Sequence, residues 1–177
     1  KTNNRLLNAK IVGDFQVELE MGKPLFGSEE IPLSKKIDPR NVVLDINNQK
    51  FSEGFCVNVG NPHIIFFGKD YLKHDLKVIG PKIEHHDLFP EKTNITFADV
   101  IDKKNIKVSV WERGAGLTKA CGTAACATAV ASFSKNLTER EVQIAFDQGS
   151  LKIKYDSNKN IFMTGSVSKI KKMDISI

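Results

Sequence analysis

Apolar and polar residues alternate along much of this chain with a period of two, the pattern of strands buried on one face. Over residues 11–21, Phe15, Val17, Leu19 and Met21 interleave with Asp14, Gln16, Glu18 and Glu20, and Gly22-Lys-Pro24 ends the run. Residues 41–46 and 51–59 flank Asn47-Asn48, both tolerant of left-handed backbone, so the pair reads as a hairpin. Residues 63–67, apolar from Ile64 on, read as a buried strand, and 94–100, 106–113, 142–146, 151–155 and 161–165 complete the set. Leu72, Leu76 and Ile79 lie at helical spacing before Gly80-Pro81, which predicts a short helix over 71–78. Ile83-Glu84-His85-His86 then begins a second, and both read as connectors. The clearest helix covers 121–135, where Ala125, Thr128, Ala129 and Ser132 let other elements approach closely. One small-residue helix amid many strands predicts an α+β fold with a sheet curled around a central helix. No internal repeat interrupts it.

Composition narrows the class. The chain has 177 residues, 41% hydrophobic and 27% charged, which describes an ordinary globular protein and not a disordered, collagen-like or disulfide-built one. Its net charge of +5 comes from scattered lysines, paired at Lys35-Lys36, Lys103-Lys104 and Lys171-Lys172. That is a solvated surface, so no nucleic-acid partner is expected. No apolar stretch approaches the roughly 20 residues of a membrane span. The first residues, Lys-Thr-Asn-Asn-Arg, carry neither an initiator Met nor a following apolar stretch, and read as neither a native start nor a signal peptide. Three cysteines without framework spacing point to a reducing compartment, hence to the cytoplasm.

The chemistry concentrates between Trp111 and Cys126, where a strand runs through glycines into the small-residue helix. Cys121 falls at the helix N-terminus, beside unsatisfied amides that attract negative charge and favour its thiolate, and its spacing reads equally as a small core residue. Gly122 lets a ligand approach the backbone and Thr123 adds a hydroxyl, a set suited to a carboxylate. Cys126 lies five residues on, about 140° around the helix, and Cys56 sits within an apolar run; both read as core. No zinc site is expected, because Cys121 and Cys126 cannot converge from one helix. Gly60-Asn-Pro-His63 is a turn with an amide and an imidazole, Glu112-Arg113 closes a strand, and Asn94 follows a polar stretch. By themselves His63 reads more readily as a core histidine, Glu112-Arg113 equally as an exposed ion pair, and Asn94 as a turn cap.

Taken in order, Gly60-Asn-Pro-His63, Gly80-Pro-x-Ile-Glu84, Phe89-Pro-x-x-x-Asn94, Glu112-Arg-Gly-x-Gly116 and Ala120-Cys-Gly-Thr-x-Ala-Cys-Ala127 resemble the diaminopimelate epimerase family. Met21-Gly-x-Pro24, Ile31-Pro32 and the stretch from Gly149-Ser-Leu151 to Met163-x-Gly165 extend the resemblance over nearly the whole chain. Leu117 stands where that family usually carries Glu, and Ala124 replaces a common Gly.

The resemblance implies a cofactor-independent epimerase that interconverts LL- and meso-diaminopimelate, on the path to lysine and peptidoglycan, with one cysteine on each face of the α-carbon. It implies Cys121 as a catalytic cysteine, with His63 and Glu112 influencing its proton. It implies substrate contacts from Asn61, Asn94, Glu112 and Arg113, and an α-carboxylate site at Gly122 and Thr123. No metal or cofactor is implied. The implied fold is a mixed, mostly antiparallel sheet closed into a barrel around the central helix, one such barrel in each of two lobes. Residues 22–166 would form the complete second lobe, residues 1–21 remnant strands of the first, and 167–177 a strand returning to it. Residues 11–21 and 161–177 are then expected to pair as a small sheet apart from the barrel. The family's other cysteine, in an Asn-Gly-x-Arg-Cys motif, has no counterpart here, so the chain reads as the C-terminal two-thirds of the enzyme, inactive alone. Exposed strand edges point to a homodimer or other self-association. The competing readings are a non-catalytic amino-acid-binding half-domain and a proline-racemase-like racemase. Cys121 argues against phenazine-biosynthesis-like isomerases, which carry a carboxylate at that position.

Overall fold

The computed structural model describes residues 7–169, within which eleven strands and two α-helices build the fold. β1 (Ala9–Gly13) and β2 (Gln16–Gly22) form a hairpin where one strand was expected over 11–21. Its turn is Asp14-Phe15, and Phe15 holds φ at 58°. Hairpin turns of this kind are marked in sequences by Gly, Asn or Asp, so an aromatic there is silent. β3 (Val42–Ile46) and β4 (Gln49–Asn58) pair as expected around Asn47 and Asn48, at φ 54° and 64°.

β5 (Pro62–Phe67) is followed by a 3₁₀ turn at Tyr71–Lys73 and then by α1 (Leu76–Glu84). The Asp75 carboxylate caps α1 by accepting from the Lys77 amide at 2.9 Å, and the helix runs through Gly80 and Pro81 instead of stopping there. Ile83 and Glu84 therefore close this helix and do not open another. Tertiary burial overrides the proline: Ile79 and Ile83 are buried, and Gly80 packs so tightly that a Cβ would lie 2.5 Å from Trp111 Cδ2. β6 (Asn94–Val100), β7 (Asn105–Glu112) and the short β8 (Gly116–Thr118) lead to α2 (Gly122–Ser134). β9 (Glu141–Phe146), β10 (Gly149–Tyr155) and β11 (Ile161–Ser166) follow.

The strands form one mixed sheet in the order β1-β2-β11-β10-β9-β7-β6-β5-β4-β3, with β8 paired to β7. Most neighbours are antiparallel; β5–β6 and β7–β9 are parallel. A parallel pair needs a long crossover, and each crossover here carries a helix. The two helices cover opposite faces. α2 packs inside the curl with Phe55, Val57, Ile65, Ala98, Val108 and Ile153. On the outer face Leu76, Ile79 and Ile83 of α1 pack with Phe51, Ile64, Phe66 and Phe97. Successive residues of one strand thus enter different cores: Ile65 faces α2, while Ile64 and Phe66 face α1. This explains why 64–67 is apolar throughout, and it makes α1 a structural element, not a connector.

The sheet curls around α2 but does not close into a barrel, because its path ends at β1 and β3. Near the gap a single bridge joins Leu25 to Asn58, with N···O distances of 2.8 and 3.0 Å. β2 pairs with β11, yet β11 also pairs with β10, so these strands continue the main sheet and do not stand apart from it. Residues 167–169 form no strand, and 170–177 lie outside the described residues.

Candidate active site

The topology gathers the singled-out side chains at one end of the sheet. β5 and β6 run parallel in a register that sets His63 opposite Asn94. β7 runs antiparallel to β6, so its last residue, Glu112, arrives where β6 begins. β8 then folds back against β7, pairing Gly116 with Glu112 and delivering the chain to Cys121, the residue that caps α2.

Cys121 is 7% exposed, and its Sγ lies 3.5 Å from Thr123 Oγ1. Burial pushes the Cys121 thiol up; the Thr123 hydroxyl and the Ala124 amide pull it down, and Glu112, facing it from β7, pushes it up further. The expected preference for thiolate is thus reversed. A helix N-terminus favours the anion, but desolvation of a nearly buried sulfur is larger and opposes it. Cys121 rests as a thiol at neutral pH. Gly122 also packs closely, since a Cβ there would lie 3.0 Å from Met163 Sδ at the flexible end of a β11 side chain.

His63 is fully buried, and its Nε2 lies 2.9 Å from Asn61 Oδ1. Burial first, and then the Arg113 charge, push its pKa down to about 3, so the imidazole is neutral. Its Nδ1 is buried without a hydrogen-bond partner. Asn94, 3% exposed, donates from Nδ2 to the Pro62 carbonyl at 2.7 Å and accepts from the Arg113 amide at 3.0 Å. It therefore ties the Asn61-Pro62 turn to the end of β7. Glu112 and Arg113 diverge: Glu112 faces Cys121, whereas Arg113 donates from its guanidinium to the Glu91 carbonyl at 2.7 Å.

The structure thus forms two groups, Cys121 with Thr123 and Glu112, and His63 with Asn61, Asn94 and Arg113, joined through the Glu112-Arg113 step. A recess of about 300 Å³ opens beside the second group, lined by Asn61 and Arg113 and by Glu29, Glu30 and Glu91. Those three carboxylates were not singled out from the sequence, where nothing separates them from surface charge. A larger cavity of about 750 Å³, under the 26–39 loop, shares Glu29 and Glu30 with this recess and includes none of the residues singled out from the sequence. Of the two departures from the family pattern, Leu117 is 45% exposed on β8 and Ala124 is fully buried in α2. Cys56 lies in the outer core and Cys126 in the inner one. Among the described residues no group of three or more His, Cys, Asp or Glu is placed to hold a metal ion, and no helix is long and apolar enough to cross a membrane.

A mixed sheet wrapped around a small-residue helix is a fold shared with solved structures of racemases and epimerases. A hydroxyproline epimerase from Agrobacterium vitis superposes with a TM-score of 0.59, at 10% identity over 85% of this chain and 50% of its own. A probable proline racemase from Agrobacterium radiobacter K84 gives 0.57, at 11% identity over 92% and 54%. These likenesses show a shared fold. The particular family follows from sequence: the diaminopimelate epimerase family model matches residues 55–170, and the chain belongs to that family. The diaminopimelate epimerase of Pelagibacter ubique is 54% identical over 99% of this chain and 65% of its own length. That of Bartonella bacilliformis is 40% identical over 93% and 58%. The chain thus spans less than two thirds of these relatives.

Proposed function

We propose that this chain supplies one catalytic half of an epimerase that inverts the α-carbon of diaminopimelate without a cofactor, with Cys121 as its acid–base group. The observation that carries this is the placement of Cys121, a resting thiol between Thr123 and Glu112 at the start of α2, in a chain of the diaminopimelate epimerase family. Inversion requires a proton to leave one face of the carbon and another to arrive on the opposite face. A base on the far side takes the α-proton, the C–H electron pair stays on carbon, and Cys121 delivers its S–H proton to the near side. In the reverse direction Cys121 is the thiolate that accepts. The N–H groups of Gly122 and Thr123 hold the carboxylate on which the carbanion's charge develops. Asn61, Arg113 and the acidic recess beside them suit the distal amino and carboxylate groups of the substrate. Glu112 tunes the thiol's proton, and neutral His63 holds Asn61 in the neighbouring group.

Neither Cys56 nor Cys126 provides the opposite group: both are fully buried, Cys56 on the outer face of the sheet and Cys126 further along α2, whereas Cys121 keeps some exposure at the helix start. The 177-residue chain alone is therefore expected to exchange the α-hydrogen slowly, in heavy water, without inverting the centre. Fusing the upstream lobe of a relative is expected to restore inversion, and Cys121→Ala to abolish both reactions. Epimerisation that persists in Cys121→Ala overturns the assignment. Calorimetric binding of diaminopimelate without any exchange, in the chain and in the fusion, establishes the non-catalytic binding reading instead. Biosynthesis of lysine in the cytoplasm is the setting this activity implies.

A further inference from the structure

Glu84 has no part in that chemistry, yet it is a carboxylate only 3% exposed. It closes α1, on the face of the sheet opposite α2. Its Oε2 accepts from Trp111 Nε1 at 2.7 Å, and its Oε1 accepts from the Gly114 amide at 3.1 Å. Trp111 directly precedes Glu112-Arg113 and Gly114 directly follows, so one carboxylate brackets the dipeptide from both sides. Gly80, one turn earlier on α1, leaves room for the Trp111 ring against the helix. Side chains alternate along a strand, so a Trp111 anchored on the outer face turns Glu112 to the inner face, toward Cys121. Asn94 holds the Arg113 amide from the neighbouring strand. A strut for a half-buried indole needs one acceptor, whereas Glu84 uses both oxygens across the turn that presents the site.

We propose that Glu84 is a positioning residue of the active site: by bonding Trp111 and Gly114 together it sets where Glu112 and Arg113 stand relative to Cys121. This rests on the reading of Cys121 and Glu112 as parts of one site, and its test needs no substrate. Trp111 is the sole tryptophan of the chain, so its emission reports on the Glu84 bond directly. In Glu84→Gln an amide must face one of the two N–H donors, and the bracket opens.

The groups acting on Cys121 are Glu112 from β7 and the Thr123 hydroxyl and Ala124 amide from α2. Glu112→Gln is expected to lower the pH midpoint of Cys121 alkylation by about half a unit, which is about threefold more thiolate on the acid side. Glu84→Gln is expected to shift the Trp111 emission and to lower the same midpoint, adding nothing in the Glu112→Gln background. An altered emission with the midpoint unmoved overturns the proposal and leaves Glu84 a strut; so do independent, additive shifts in the double variant. If Glu84→Gln loses its cooperative melt, Trp111→Phe decides, with a fall in midpoint expected and an unmoved midpoint overturning. A chain or fusion that neither exchanges nor epimerises, yet keeps the Glu84–Glu112–Cys121 coupling, removes the functional reading alone.

Discussion

Cys121 and His63 are both buried, and burial drives both toward their neutral forms. For the thiol, alkylation at mildly alkaline pH followed by peptide mapping is expected to mark Cys121 at least about tenfold faster than Cys56, whose thiol burial pushes far higher. Comparable labelling of Cys56 would contradict this. For the imidazole the consequence is one of stability. The unfolded chain binds a proton at His63 below about pH 6.5, whereas the folded one does so only near 3. The unfolded state therefore holds more protons across that window. The stability tied to neutral His63 is fully present above pH 6.5 and lost as pH falls toward 3, by about 1.4 kcal/mol per unit. Urea midpoints from pH 7 down to 4.5 are expected to fall less steeply in His63→Gln than in the parent; equal slopes would refute the assignment. The residues of the site were legible as ordered strings, since Cys121-Gly-Thr and Glu112-Arg keep their chemistry in one dimension. The direction of the thiol's shift was not, because desolvation is created only when α2 seats itself inside the sheet.

Between elements, Gly80 is the contact through which α1 meets β7. Adding one methyl group in Gly80→Ala sets a Cβ 2.5 Å from the Trp111 ring, and the shift needed to relieve this is expected to cost about 1–3 kcal/mol. Chemical denaturation monitored by Trp111 emission measures it, and an unchanged midpoint would show that α1 floats on the sheet. The fate of the strand and helix expectations follows from what each residue type reveals locally. Asn47-Asn48 announces its turn because asparagine tolerates the φ it adopts, while Asp14-Phe15 makes a hairpin turn with a residue that signals nothing of the kind. Pro81 suggests a helix end, yet the outer core holds the helix through it. The continuous apolar run of β5 did reveal burial, but not that two helices share it, one on each face.

On the scale of the whole molecule, the open curl leaves apolar surface at its β1 end. Ile11 is 81% exposed, Phe15 50%, Val12 43% and Val167 46%, all around the β1–β2 hairpin. β1 is the last strand of the sheet and has no further neighbour on its outer edge among the described residues. Apolar side chains beside unpaired backbone groups form a template for another strand. The isolated 177-residue chain is therefore expected to self-associate through this hairpin, with light scattering showing a mass that rises with protein concentration. Ile11→Lys combined with Phe15→Lys places charge where a second chain would dock, and is expected to return the chain toward monomer while leaving the Cys121 alkylation profile as it was. That last readout separates association from the site: neither Ile11 nor Phe15 is among the groups acting on Cys121, so the added charge governs association and not the thiol. A clean monomer at high concentration in the parent chain, or an association that survives both lysines, would count against the hairpin as the contact.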